Sequence, residues 1–121
     1  PEGVGNKDIS AIAGKASEGM YVTMLKKYDE DPANAKIAEA FKAKKQDYSG
    51  PFVWTTYAAV QSLAAGLNAA GEEPADIADY LRANKVDTVM GPLEWSASGD
   101  LKNFKFGVYQ WHADGTSSVL Q

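Results

Sequence analysis

The sequence predicts an α/β fold with three main helices and several short strands. Apolar residues make up 45% of the 121 residues and charged residues 23%, which is the balance of a globular domain and not of a disordered chain. Segments with helical spacing of apolar residues alternate with short β-rich segments, and capping or turn residues separate them. The chain is therefore expected to fold around a core.

The composition also excludes several functional classes. The net charge is −4, and the one short basic run, residues 42–45, is typical of a solvated helix end, so we predict no nucleic-acid partner. The absence of cysteine excludes a disulfide framework and a cysteine nucleophile. The longest apolar stretch, residues 52–71, is interrupted by polar residues and makes a poor membrane span. No signal-peptide pattern precedes Pro1, so the cellular compartment is not predicted from a targeting segment.

The first elements in chain order are predicted from their caps. Asn6 suits the cap of a short helix that stops at Gly14. Residues 20–25 are β-rich and predict a strand. Asp31 at the N-cap, followed by Pro32, predicts a helix over residues 32–45.

The longest predicted helix covers residues 51–70 and ends at Gly71. Its apolar side chains spread around most of the circumference, so it has to be covered on several sides. The few short strands predicted elsewhere supply too little sheet for this. We expect either that the chain is part of something larger or that it covers its exposed faces by self-association.

The rest of the chain is predicted as one more helix, three short strands and two turns. The helix begins at Glu73 and Pro74 and runs to residue 84. The other elements are strands at residues 86–90 and 93–95 separated by Gly91 and Pro92, a turn-rich loop at 96–100, a strand at 104–112, and a turn at Asp114 and Gly115.

No constellation of residues predicts catalysis, a metal or a cofactor. His112 is the only histidine and is interpreted as an ordinary strand-end residue, because other metal ligands do not cluster with it. Asp29, Glu30 and Asp31 lack the spacing of a calcium loop. The sequence also contains no phosphate-cradling glycine motif. We therefore predict that the chain is not an enzyme.

Aromatic residues near the start of the long helix are harder to interpret. Trp54 and Tyr57 stand three residues apart, which favours core packing over a ligand platform. Phe52 lies in the first turn, where helix N-termini often face crevices in α/β proteins. Spacing alone assigns no role to Phe52 or to the isolated Glu2.

A series of short motifs runs along nearly the whole chain. It includes PEGV at residues 1–4, IAG at 12–14, YDEDPAN at 28–34, SGPFVWTTYAA at 49–59, VDTVMGPL at 86–93, GDLK at 99–102 and WHADG at 111–115. Together these motifs closely resemble the C-terminal third of the leucine/isoleucine/valine-binding proteins. Those proteins are the extracytoplasmic solute receptors of bacterial branched-chain amino-acid ABC transporters.

The resemblance implies the C-terminal portion of a two-lobed receptor of periplasmic-binding-protein type I. It assigns residues 1–24 to the end of lobe two, residues 25–103 to a lobe-one portion with three helices, and residues 104–121 to the final crossover and a lobe-two strand. The strands that would cover the long helix belong to the larger N-terminal portion of such a receptor. A periplasmic location is implied in the same way.

The same resemblance implies two ligand contacts. Glu2 matches the acidic residue that binds the α-ammonium group of the ligand, and Phe52 matches the aromatic residue beside its aliphatic side chain. The implied partners of a complete receptor are a branched-chain amino acid and the membrane permease of an ABC transporter. Because the groups that bind the α-carboxylate lie in the N-terminal portion, we expect the chain alone to bind no ligand. The alternative is a homodimer through exposed apolar faces, or a truncated remnant without transport function.

Overall fold

A computed structural model describes residues 5, 6, 8–50, 52–102, 104 and 106–120, which form two compact units. The first unit combines the described residues up to Lys27 with those from Phe106 onward, and the second runs from Tyr28 to Phe104. In these ranges the helices are α1 (Asp8–Ala13), α2 (Ala35–Ala43), α3 (Val53–Ala70) and α4 (Pro74–Ala83), and the strands are β1 (Tyr21–Met24), β2 (Val86–Thr88), β3 (Gly91–Leu93), β4 (Gly107–Trp111) and β5 (Ser117–Val119). The predicted α/β fold with three main helices and several short strands is confirmed. None of the described helices has the length and hydropathy needed to cross a bilayer.

The first unit is built on an antiparallel sheet in the order β1-β4-β5. Alternation along β1 and β4 turns Val22, Tyr109 and Trp111 toward one core, and Ile9 and Met24 pack against it. Among the described residues, one sheet face and one short helix supply this core, so it is small.

Local signals in the first unit are mostly confirmed. Asn6 Oδ1 accepts a hydrogen bond of 2.6 Å from the backbone N–H of Asp8, as expected of a cap. Asp114 Oδ1 accepts one of 2.9 Å from the N–H of Thr116, and Gly115 has a φ of +84° in the predicted turn. The strand after this turn, β5, was not predicted, because three residues are too few to show an alternating pattern.

The second unit has its core at the start of α3. Trp54 and Ala58 of α3 pack with Ala38 of α2 and with Val89, and all four side chains are buried. These residues come from three separate parts of the unit, so the core joins α2, α3 and the β2–β3 hairpin.

The predicted cap of the second helix is present, but the first turn differs. Asp31 Oδ1 accepts a hydrogen bond of 3.0 Å from the N–H of Ala33. The turn that follows, Pro32–Asn34, is a 3₁₀ helix, and α2 begins at Ala35. The buried amide of Asn34 donates to the carbonyl oxygens of Tyr28 and Val89, each at 2.9 Å. Residues far away in the sequence therefore help to hold this tighter turn in place.

The prediction that Gly91 and Pro92 separate two strands is wrong. Both residues lie inside β3, which pairs with β2 in antiparallel register, and the turn falls at Val89 and Met90. Thr88 holds the turn, because its Oγ1 donates to the carbonyl of Gly91 at 2.8 Å and accepts from the N–H of Met90 at 3.1 Å. Proline is tolerated in β3 because a two-stranded sheet consists only of edge strands.

Helix α3 has one buried stripe and one exposed apolar face. The buried stripe repeats every four residues and consists of Trp54, Ala58, Ser62 and Gly66. The opposite side, which we call the exposed α3 face, consists of Tyr57, Val60, Leu63, Ala64 and Leu67. Val60 is 60% exposed in the described part of the chain, which agrees with the prediction that the few short strands supply too little sheet to cover this helix.

Gly66 of α3 packs closely against α4, and a Cβ added there would lie 2.7 Å from Cγ2 of Ile77. Alanine would gain about 1 kcal/mol of helix propensity. Overpacking costs about 1–3 kcal/mol, so we expect Gly66→Ala to lower the free energy of unfolding by about 1 kcal/mol in urea denaturation. Ile77→Ala removes the obstructing methyl group. Adding Gly66→Ala to that variant should therefore cost nothing, and an unchanged cost would contradict the close contact.

Candidate functional site

Phe52 is the one predicted ligand-binding residue that lies within the described part of the chain. It is the N-cap residue of α3, with φ of −98° and ψ of −10°, so the helix begins one residue later than a first-turn position implies. Its carbonyl oxygen accepts hydrogen bonds from the N–H of Thr56 at 2.9 Å and from Oγ1 of Thr55 at 3.0 Å. The backbone is thereby held in place while the side chain stays 53% exposed.

An open apolar groove runs from Phe52 along α3. Its volume is about 610 Å³, and its walls are the exposed side of the first three turns of α3 and Phe41 of α2. The lining residues are Phe41, Phe52, Val53, Thr56, Tyr57, Val60, Gln61 and Ala64. A surface of this kind suits an aliphatic group or an apolar protein surface, since few polar atoms face it.

The aromatic residues at and behind the groove wall form a contiguous cluster. The ring of Phe41 lies 6.0 Å from that of Tyr48, 6.2 Å from that of Trp54 and 6.5 Å from that of Tyr57, measured between centroids. Trp54 is core, as predicted. The same prediction is wrong for Tyr57, which lines the groove and is 38% exposed, because the adjacent face of α3 has no covering layer in the described residues.

Glu2, the other predicted ligand-binding residue, lies outside the described residues. Its role and its pairing with Phe52 stay predictions. Phe41 was not proposed as a site residue, although it lies about one turn before the predicted end of the helix over residues 32–45, on the same apolar face as Ile37 and Ala38. Only the packing of α2 against α3 brings it to Phe52.

His112 has partners that its place in the sequence did not predict. Its Nδ1 lies 3.2 Å from Oε1 of Glu18, and its Nε2 lies 3.0 Å from Oγ of Ser118. The other carboxylate oxygen of Glu18 accepts a hydrogen bond of 2.8 Å from the N–H of Ala113. These bonds tie the β4–β5 hairpin to Glu18, three residues before β1, so we assign them a structural role. Among the described residues, no group of three or more His, Cys, Asp or Glu side chains is arranged to hold a metal.

This tie predicts a pH dependence of stability. The N–H of Ala113 and then the ring of His112 lower the pKa of Glu18 from its usual value. A lowered carboxyl pKa stabilises the fold above the ordinary glutamate value of about 4.3, and this contribution is lost as the pH falls through the lowered value. We expect Glu18→Gln to flatten the acid side of the stability profile, measured by urea denaturation from pH 3 to 7. Glu73→Gln is the control, because Glu73 makes no side-chain cap bond at the start of α4.

Comparison with known proteins decides the family. The model described as "Periplasmic binding protein" matches residues 2–116. The chain belongs to the periplasmic binding protein family. It is 63% identical over 118 residues to the Leu/Ile/Val-binding protein of Escherichia coli (strain K12), covering 98% of this chain and 32% of that protein. It is 62% identical over 122 residues to the leucine-specific-binding protein of Salmonella typhimurium, covering 100% of this chain and 33% of that protein.

Two solved structures of lower sequence identity share the fold. A leucine binding protein from Thermotoga maritima has a TM-score of 0.75 at 19% identity, with 95% of this chain and 33% of that chain covered. A solute binding protein of an ABC transporter from R. palustris, solved in complex with benzoate, has a TM-score of 0.69 at 23% identity, with 93% and 32% covered. The chain thus spans about a third of the length of the curated relatives and solved proteins that it matches.

These comparisons confirm the resemblance read from the motifs. They also confirm the prediction that the chain is not an enzyme, since the family and the named relatives are binding proteins. The assignment of residues 1–24, 25–103 and 104–121 to lobes stays a prediction.

Proposed function

We propose that these 121 residues form the C-terminal third of a periplasmic receptor for branched-chain amino acids that delivers its ligand to the membrane permease of an ABC transporter. The observation that carries this proposal is the 62–63% identity over nearly the whole chain to proteins named for binding leucine, isoleucine and valine. The two relatives are named for leucine alone and for leucine, isoleucine and valine together, so the proposal is made for the branched-chain class.

Within this proposal Phe52 forms part of the wall beside the aliphatic side chain of the ligand. Its half-exposed ring on a fixed backbone suits that role, because an apolar wall accepts leucine, isoleucine or valine alike. Glu2 would bind the α-ammonium group, since a buried cation needs a hydrogen-bonded carboxylate to offset its lost hydration.

The exposed α3 face has a second role in the proposal. Its five side chains are apolar and lie on one side of the helix, opposite the buried stripe. We propose that the other two thirds of the receptor supply the sheet that covers this face. The comparisons give no support to the alternative, a homodimer that covers the face with a second copy.

The chain alone is not expected to bind leucine measurably. One charge-assisted hydrogen bond contributes about 1.5–3 kcal/mol, and burial of an aliphatic side chain contributes a similar amount, about 1.5–3 kcal/mol. Association costs an estimated ~4–15 kcal/mol. Two contacts without a clamp for the α-carboxylate therefore leave little or no net affinity.

The test is calorimetric titration of leucine into two proteins. One is the chain alone, for which we expect no binding. The other is the chain joined to the N-terminal two thirds of the Escherichia coli Leu/Ile/Val-binding protein, which we call the joined receptor. It should bind leucine, and either Glu2→Gln or Phe52→Ala should weaken binding about 10- to 150-fold.

The controls are Glu73→Gln for the carboxylate and Ile12→Ala for the apolar side chain, since Ile12 is 88% exposed in the other unit. Neither should change the affinity. A folded joined receptor that binds none of the three branched-chain amino acids would refute the proposed function.

A further inference from the structure

The segment that leads to Phe52 is held in a defined shape. Lys45 has a φ of +54°, a left-handed conformation that turns the chain sharply after α2. Asp47 Oδ1 then accepts hydrogen bonds from the N–H of Ser49 at 2.9 Å and from its hydroxyl at 2.8 Å. The carbonyl of Gly50 accepts the N–H of Val53 at 3.2 Å. We call residues 45–50 the lead-in loop.

Trp54 ties the lead-in loop to the core. Its indole Nε1–H donates a hydrogen bond of 2.9 Å to the carbonyl oxygen of Tyr48, and its side chain is only 3% exposed. The rings of Trp54 and Tyr48 meet edge to face, at 6.3 Å between centroids and 88° between planes. The Tyr48 ring also packs near Phe41. The loop is therefore fixed at its centre as well as at its two ends.

The hydrogen bond to the Tyr48 carbonyl depends on the indole N–H of Trp54. A phenylalanine at position 54 would retain an aromatic ring in the core but would leave the carbonyl of Tyr48 without this donor. The lead-in loop could then sample other conformations. The bonds from Thr55 and Thr56 would still hold the Phe52 carbonyl, but the loop that leads to Phe52 would have to be ordered when ligand binds. Ordering a loop on binding weakens affinity.

We propose that Trp54 is a positioning residue for Phe52, acting through its hydrogen bond to the Tyr48 carbonyl. This inference rests on the proposed function, in which Phe52 contacts the ligand. Trp54 itself is buried in the core and need not touch the ligand.

The test uses Trp54→Phe in the joined receptor, with leucine affinity measured by calorimetry at a temperature where circular dichroism shows the protein fully folded. We expect affinity to fall about three- to tenfold, the equivalent of one lost hydrogen bond. A second variant carries 3-benzothienylalanine at position 54, which replaces only the N–H with sulfur, and should give the same loss. Trp111→Phe is the matched control, because Trp111 is 4% exposed in the other unit and should leave affinity unchanged.

A readout on the 121-residue chain separates positioning from general destabilisation. Hydrogen exchange of the amides between residues 46 and 53 should accelerate in Trp54→Phe, while exchange in the middle of α3 stays as it was. If both position-54 variants bind leucine as tightly as the parent while Phe52→Ala binds weakly, the inference is wrong and the proposed function stands. If Phe52→Ala also binds normally, the ligand role of Phe52 fails first.

Discussion

A negative charge on the exposed α3 face is expected to abolish leucine binding by the joined receptor and to leave the chain alone folded. Val60→Asp places a carboxylate where the side chain is 60% exposed, and exposed substitutions usually change stability by no more than about 0.5 kcal/mol. If the rest of a receptor covers this face, the same carboxylate is buried without a partner. That costs at least several kcal/mol, enough to separate the chain from the sheet that we propose it packs against.

Two measurements check this expectation. Urea denaturation of the 121-residue chain should give nearly equal stability for the parent and Val60→Asp. Calorimetry of the joined receptor should show loss of leucine binding. Gel filtration should show a larger hydrodynamic size than that of the parent. Ala75→Asp is the control, because Ala75 is exposed in the first turn of α4 and lies outside the exposed α3 face. A Val60→Asp receptor that binds leucine normally would show that this face stays in water.

Trp54→Ala is expected to have the largest effect on the second unit. The side chain is 3% exposed and lies at the centre of the buried cluster with Ala38, Ala58 and Val89. Truncation of a buried tryptophan to alanine costs about 3–5 kcal/mol, and a small domain has only about 5–15 kcal/mol to lose. We therefore expect a large fall in the denaturation midpoint, with loss of the near-ultraviolet signal of the aromatic cluster.

Tyr57→Ala provides the comparison for Trp54→Ala within the same helix. Tyr57 lies three residues further on and is 38% exposed, so truncation should cost much less than at position 54. Equal costs at the two positions would mean that the core is not centred on Trp54.

Helix caps and turns that depend on only a few neighbouring residues were predicted well. Asp31 caps a turn, and Gly71 ends α3 with a φ of +85° and an N–H that donates to the carbonyl of Leu67 at 3.0 Å. The turn at Asp114 and Gly115 has the same character. These hydrogen bonds join residues two to four apart, so both partners lie within one short segment of the sequence and can be recognised together.

The misplaced hairpin turn shows where local signals fail. Glycine followed by proline usually marks a break, yet Gly91 and Pro92 lie in β3. The N–H of Val89 donates to Oε1 of Gln61 at 2.9 Å, and the side chain of Val89 is buried in the core. This contact with α3, 28 residues earlier, adds to the two hydrogen bonds of Thr88 in fixing the turn at Val89 and Met90, and the residues next to the turn do not predict it.

For the candidate site, the motif series singled out Phe52 as a predicted ligand contact, while nothing in the sequence predicted its surroundings. Phe41 joins it in the groove only because α2 packs against α3. Likewise Glu18 and His112 meet across 94 residues of sequence, and only the pairing of β1 with β4 brings them together.

Local sequence was enough to establish that α3 exists, where it stops and that it is apolar nearly all round, because these properties depend on neighbours within a few turns. Which side of the helix is buried was decided by tertiary structure. Gly66 has no side chain, so Ile77 of α4 can pack directly against it. The small side chains of Ala58 and Ser62, on the same side of α3, let other core residues pack close to the helix. The bulkier residues on the other side are left as an apolar surface, because burial depends on which distant segments fit against a helix and not on its composition.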